Sequence, residues 1–170
     1  MNIDELNNFI YTKCKENGLC KAGEERWHGA SSNDLIKMYS KEPEFVILQK
    51  PFSLSVIKEN FDKEMLNNNG VYLLEDNLDL VLNTDGKNYV FNSCTGNITV
   101  KSWDNILTIS DDSNLTISFE TEGLFTISIY DLSNLTINSN KGCDVIILSH
   151  GYNNINRENA KGRVKIINKK

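Results

Sequence analysis

Three aromatic residues in this sequence could stack on the face of a sugar. Trp103, Tyr130 and Tyr152 each stand near a predicted turn. Trp and Tyr combine an apolar ring with a polar group, which suits a ligand that is apolar on one face and wet on the other. A carbohydrate-binding groove requires all three rings to line one exposed surface. Packing into the core or against a turn is the competing interpretation.

Acidic side chains form a second candidate set. Five carboxylates fall at predicted turns: Asp111, Asp112, Glu120, Glu122 and Asp131. If they form one continuous exposed stripe, the chain could imitate nucleic acid as an acidic anti-defence decoy. Calcium coordination is disfavoured, because the sequence contains neither an EF-hand loop nor a Gly-Gly-x-Gly-x-Asp repeat. Solvated turn carboxylates are the simpler interpretation, and we predict no metal and no cofactor.

Catalytic chemistry has little support in the sequence. The only histidines are His28 and His150. Ser149 and His150 are neighbours in a predicted strand, where adjacent side chains point to opposite faces, so they do not form part of a triad. His28 falls in a predicted loop over residues 25–29. We predict that the protein is not an enzyme, since an enzyme would need one histidine in a pocket beside a carboxylate.

The charge and hydropathy of the sequence disfavour two classes of binding partner, nucleic acids and membranes. The formal net charge of −5 over 170 residues disfavours general nucleic-acid binding. No apolar run approaches the roughly 18 residues that cross a bilayer, and no secretory signal pattern opens the sequence, so we expect no membrane partner. Four scattered cysteines are typical of reduced thiols, with a Cys14–Cys20 bridge as the alternative.

Two regions must position these side chains. Residues 1–70 predict a helical cap subdomain, with capping side chains at Ser31–Asp34 ahead of one helix. A further helix is predicted to start at Ser53 or Ser55, to include Leu66 and to end in the Asn-rich segment before Gly70. Residues 71–170 change to a period of two, in which β-branched residues alternate with polar ones.

A repeat organises residues 71–170. Its Asn-headed segments begin at steps of 20, 17, 20 and 20 residues, at positions Asn77, Asn97, Asn114, Asn134 and Asn154. A period near 20 residues is typical of stacked repeats. We therefore predict an α+β chain in which the helical subdomain precedes a short parallel β-solenoid of about five coils. An antiparallel β-sandwich or jelly roll is the alternative.

The solenoid hypothesis makes finer predictions. Asn residues would stack at one corner as an amide ladder, and the 17-residue step would mark a shorter corner near Trp103. Four threonines are predicted to point outward: Thr99, Thr116, Thr126 and Thr136. They suggest a flat ice-binding or carbohydrate-binding face, although a regular Thr-x-Thr ladder is missing.

One segment resembles a known group of proteins. Residues Glu59 to Tyr72, followed by short Asn-rich strand repeats, resemble uncharacterised proteins of Bacteroidota and of their phages or mobile elements. That resemblance implies a small helical head before a degenerate β-solenoid tail. It also implies a phage or mobile-element component, located in the cytoplasm of a bacterial host cell or in a virion.

These observations favour a non-enzymatic structural or interaction protein. We expect it to act through self-assembly or protein binding, using the outer face of the coils or the helical head. A carbohydrate-binding module and an acidic decoy are the alternatives.

Overall fold

A computed structural model describes residues 1–27, 31–51 and 53–169, without the side chain of Arg26. His28, which the sequence analysis placed in a loop, lies outside the described residues. The chain divides into two compact units, Met1–Val71 and the residues from Tyr72 onward. This division falls beside the boundary predicted between residues 70 and 71.

The first unit is helical. Its described helices are α1 (Ile3–Glu16), α2 (Lys21–Trp27), α3 (Ser32–Lys41), α4 (Pro43–Gln49), α5 (Leu54–Asn60) and α6 (Lys63–Asn68). The predicted cap of α3 is confirmed, because the Ser31 hydroxyl accepts the Asp34 amide proton at 3.3 Å while the Asp34 carboxylate accepts the Ser31 amide proton at 3.0 Å. This reciprocal pairing satisfies free donors of the first turn.

Two predictions for the helical unit are wrong. The predicted loop over residues 25–29 begins inside α2, whose Trp27 indole nitrogen donates to the Asn7 side-chain oxygen of α1 at 2.5 Å. The single helix predicted from residue 53 or 55 through Leu66 is instead two helices. Phe61 is extended, and the Asp62 carboxylate then caps α6 by accepting the amide protons of Glu64 and Met65. A capping side chain inside an apolar pattern therefore restarts the helix.

The second unit consists of strands. They are β1 (Val71–Leu73), β2 (Leu78–Leu82), β3 (Asn88–Asn92), β4 (Thr95–Val100), β5 (Ile106–Ser110), β6 (Asn114–Phe119), β7 (Gly123–Ile129), β8 (Asn134–Ser139), β9 (Cys143–His150), β10 (Asn154–Ala160) and β11 (Arg163–Lys169). A first sheet has the order β1-β3-β5-β7-β9-β11, and a second sheet has the order β2-β4-β6-β8-β10. The pairings from β2 to β11 are parallel. This confirms the β-solenoid and excludes the antiparallel sandwich.

The core lies between the two sheets. Alternation sends every second residue inward, and like residues pair with like in successive coils. In the second sheet Ile117 pairs with Ile98 on one side and with Ile137 on the other. All three side chains are buried. A continuous aliphatic column therefore joins the coils.

The observed register corrects the predicted repeat. Asn114 pairs with Thr95 and not with Asn97, which pairs with Thr116. A shift of two residues leaves the inward and outward alternation unchanged, so the apolar pattern does not distinguish the two registers. The turns decide between them, because the Cys94 amide donates to the Ser113 hydroxyl at 3.0 Å across a separation of 19 residues.

Two further repeat predictions fail with that register. Among the described connections that lead from the first sheet to the second, the shortest is the one between β3 and β4, at residues 93–94. The connection around Trp103 spans residues 101–105 and is longer. The stacked asparagines do not form an amide ladder within the described part of the chain. Asn114, Asn134 and Asn154 pair in register, but their backbone amides donate to the carbonyls of Cys94, Ser113 and Ser133. The turn backbone, rather than stacked side-chain amides, links the coils here.

The strands β10 and β11 form the outer edge of the two sheets. A register shift between Asn156 and Asn159 interrupts the pairing of β10 with β8. The Arg157 guanidinium crosses to β11 and donates to the Val164 carbonyl at 2.9 Å. Bulges and basic side chains are devices that stop an edge strand from pairing with another chain.

We expect the double variant Arg157→Val, Lys165→Val to form larger species than the natural chain, because it exposes unpaired edge groups without their charges. Sedimentation velocity over a range of concentrations measures this. The matched control is Lys101→Val, Lys141→Val, which removes the same charge from exposed turn positions. Equal association of the two double variants would show that charge alone, and not the edge, controls solubility.

Candidate functional site

The five predicted carboxylates lie on two separate sets of turns. Asp111, Asp112 and Asp131 occupy the turns that lead into β6 and β8, whereas Glu120 and Glu122 lie in the turn after β6. The full length of β6 separates the two groups. The single continuous stripe that an acidic decoy requires is therefore not formed.

The aspartates have a local role in their turns. Asp111, Asp112 and Asp131 have φ values of 54°, 59° and 59°. Asp tolerates this left-handed conformation better than most residues. The Asp111 carboxylate also accepts a hydrogen bond from the Asn92 side-chain amide at 2.9 Å, which ties neighbouring coils together. These carboxylates therefore shape the turns.

The three candidate aromatic residues do not form a groove. Tyr130 is only 4% exposed, while Trp103 and Tyr152 are 62% and 90% exposed. Trp103 lies in the turn between β4 and β5, and Tyr152 lies at the other end of the coil, between β9 and β10. The Tyr130 ring stacks on His150, with centroids 4.3 Å apart. Burial of Tyr130 removes the predicted carbohydrate groove.

The predicted threonine row is divided between the sheets. Thr126 belongs to β7 of the first sheet, whereas Thr99, Thr116 and Thr136 belong to the second. Thr116 pairs with Thr136, but Thr99 pairs with Ser118. A two-residue difference in register explains why the threonines do not align in one column.

The second sheet instead carries a regular grid of mixed hydroxyl and amide groups. We call it the polar face, and it comprises the outward residues Thr95, Asn97, Thr99, Asn114, Thr116, Ser118, Asn134, Thr136 and Asn138. All nine are uncharged, and all are half-exposed or exposed. Neighbouring strands in a sheet are about 4.8 Å apart, so the groups repeat at that spacing. The Asn-headed segments contain six of these nine residues, but only the register brings all nine together.

Metal-binding and redox arrangements are not seen in the described ranges. No three His, Cys, Asp or Glu residues in residues 1–27, 31–51 and 53–169 come together as metal ligands. All four cysteines are free thiols, of which Cys20 is exposed and the other three are buried.

The geometry defines a class of protein: a helical unit followed by a parallel β-solenoid of about five coils, whose second sheet carries an uncharged polar face on β4, β6 and β8. The helices of the described residues include none that is both long and apolar enough to cross a membrane. Comparison with protein-family models, curated proteins and solved structures finds no match.

Proposed function

We propose that the chain is a non-enzymatic interaction protein that associates with a second copy of itself through the polar face. The observation that carries this proposal is the run of nine outward side chains without a charge, in a sequence whose residues are 24% charged. Soluble proteins usually intersperse charges over their surfaces. The cores of protein interfaces are depleted in charged residues.

Electrostatics favour this face for contact between identical chains. Each copy has a formal charge of −5, so two copies repel one another over most approaches. The polar face contributes no charge to that repulsion. Removing hydroxyl and amide groups from water also costs less than removing ionised groups.

The chemistry of the face is self-complementary. Thr and Ser hydroxyls both donate and accept hydrogen bonds, and Asn side chains do the same. A two-fold axis places the same patch of both copies in contact, so each pair of groups that meets across the axis occurs twice. Because the strands are regularly spaced, many such pairs can form in a single alignment of the two copies.

Thr116→Lys tests this proposal, because it places a charge at the centre of the polar face, where Thr116 lies between Asn97 and Thr136. We expect it to weaken self-association more than about tenfold, since like charges across an interface cost several kcal/mol. Thr126→Lys is the matched control, because Thr126 is a half-exposed threonine on the outward side of the first sheet. Sedimentation velocity gives the dissociation constants.

A second measurement locates the contact. Amide chemical shifts that change with protein concentration are expected in β4, β6 and β8 and not in β7. A natural chain that stays monomeric at every concentration would overturn the proposal, as would equal weakening by the two lysine variants.

A further inference from the structure

The helical unit contains a cavity of about 180 Å³ that the proposed self-association does not use. Side chains from the helices and from the segment between α5 and α6 line it, including Ile10, Cys14, Trp27, Ile36, Val46 and Phe61. Ile10, Cys14, Ile36 and Phe61 are buried core residues. The cavity therefore reaches into the packed interior of the unit, while exposed residues such as Cys20 also line it.

Its size and lining indicate a ligand. Protein interiors are close-packed, and voids much larger than a water molecule are few. A void forfeits the dispersion contacts that its lining atoms would otherwise make. Water gains little in such a space, because an ordered water needs two to four polar partners.

We propose that this cavity binds a small, uncharged, apolar molecule, either a single aromatic ring or a short aliphatic chain. An engineered cavity of about 150 Å³ with an aliphatic and aromatic lining binds benzene, so this space holds a ligand of that size or slightly larger. An anion would lose its hydration without gaining a cationic partner, because the described lining residues include no Lys, Arg or His. Glu42 also lines the cavity, and its carboxylate disfavours an anionic ligand such as a fatty acid.

The two cysteines that line the cavity differ in their exposure to solvent. Cys14 is buried, and burial raises the pKa of the Cys14 thiol to about 11, so little thiolate forms there at neutral pH. Cys20 also lines the cavity and is exposed. A molecule that enters the cavity therefore passes close to a thiol that reagents reach.

The sequence supplies a fluorescent reporter. Its two tryptophans are Trp27, which lines the cavity, and Trp103, which lies in the solenoid. In a full-length Trp103→Phe variant, all indole emission comes from Trp27. We expect toluene and 1-octanol each to change this emission saturably, and octanoate to bind at least tenfold more weakly than 1-octanol.

Val46→Phe tests the location of the site, because a larger side chain occupies part of the cavity. We expect it to weaken toluene binding at least tenfold. Leu48→Phe is the matched control on the same helix, since Leu48 is 55% exposed and does not line the cavity. Unchanged toluene binding by Val46→Phe, or tighter binding of octanoate than of 1-octanol, would contradict the proposal.

A second measurement uses the chain without cavity-filling substitutions, so it does not depend on folding of Val46→Phe. Saturating toluene is expected to slow iodoacetamide labelling of Cys20 and to raise the thermal midpoint of the helical unit, since a ligand stabilises the state that binds it. No saturable emission change, no protection and no stabilisation with any of the probes would overturn the site. None of these outcomes depends on the polar face.

Discussion

Gly96→Ala is expected to detach β2 from β4 and to lower the free energy of unfolding of the second unit by more than about 4 kcal/mol. Few single substitutions destabilise a protein by that much. Gly96 pairs with Leu78, and its φ of 133° is one that L-residues rarely adopt. A methyl group here would lie 2.8 Å from the Leu78 Cα and closer still to the Leu78 backbone nitrogen and carbonyl oxygen. Because the obstacle is backbone, the strand itself must move. Amide hydrogen exchange of β2 and β4 measures the loss of protection.

Gly86→Ala is the matched control for that prediction. Gly86 also has a positive φ, of 63°, but apart from its two chain neighbours no described residue has a heavy atom within 4 Å of the position of an added methyl group. We expect it to cost about 1 kcal/mol, from the left-handed conformation alone. Equal effects of the two substitutions would mean that backbone conformation, and not the close approach of β2, sets the requirement for glycine at residue 96.

Ile117→Ala is expected to destabilise the second unit by about 2–5 kcal/mol, the usual cost of removing a large buried aliphatic side chain. Ile117 has no exposed surface and contacts the coil on each side through its register partners Ile98 and Ile137. Each coil of a solenoid is stabilised by its neighbours, so a cavity in a middle coil weakens two interfaces. Hydrogen exchange in β6 and urea-induced unfolding measure the loss.

Thr116→Ala is the matched control for Ile117→Ala. Thr116 is the preceding residue of β6 and points outward, so its truncation leaves the core unchanged. We expect a change within about 0.5 kcal/mol. A loss as large as that of Ile117→Ala would show that the outward hydroxyls, rather than the aliphatic columns, hold the coils together.

The two units make the choice of measurement important. Unfolding of a chain with two compact units does not follow a single transition unless the units unfold together. Residue-specific exchange separates them, because protection is read strand by strand. Trp27 emission reports on the helical unit separately from the solenoid. The cavity and the solenoid can therefore be tested in one full-length chain.

The fold predicted from the sequence is confirmed, whereas the predicted aromatic groove and acidic stripe are not formed. The carboxylates and the aromatic residues each stand near a predicted turn, but a solenoid coil has turns at both of its ends. Asp111 and Glu120 are near in sequence and lie at opposite ends of β6. Trp103 and Tyr152 are likewise at different ends. Proximity in sequence to a turn therefore says little about which groups share a surface.

The cavity of the helical unit had no signal in the sequence. Its lining residues follow ordinary helical periodicity, which predicts burial but not how completely the buried volume is filled. Whether six short helices leave a space depends on their relative placement. That placement depends on contacts such as the one between Trp27 and Asn7, which are 20 residues apart.

The sequence by itself determined the two-part layout, the stacked coils and the faces of the strands. Those features follow from short-range chemistry: helical spacing, β-branched alternation and a repeat near 20 residues. The tertiary structure alone decided the register. Alternation is unchanged by a shift of two residues, so Asn97 could align with Asn114 or with Thr116 on pattern alone. Hydrogen bonds between turns, such as Cys94 to Ser113, select the second register, and that choice assembles the polar face.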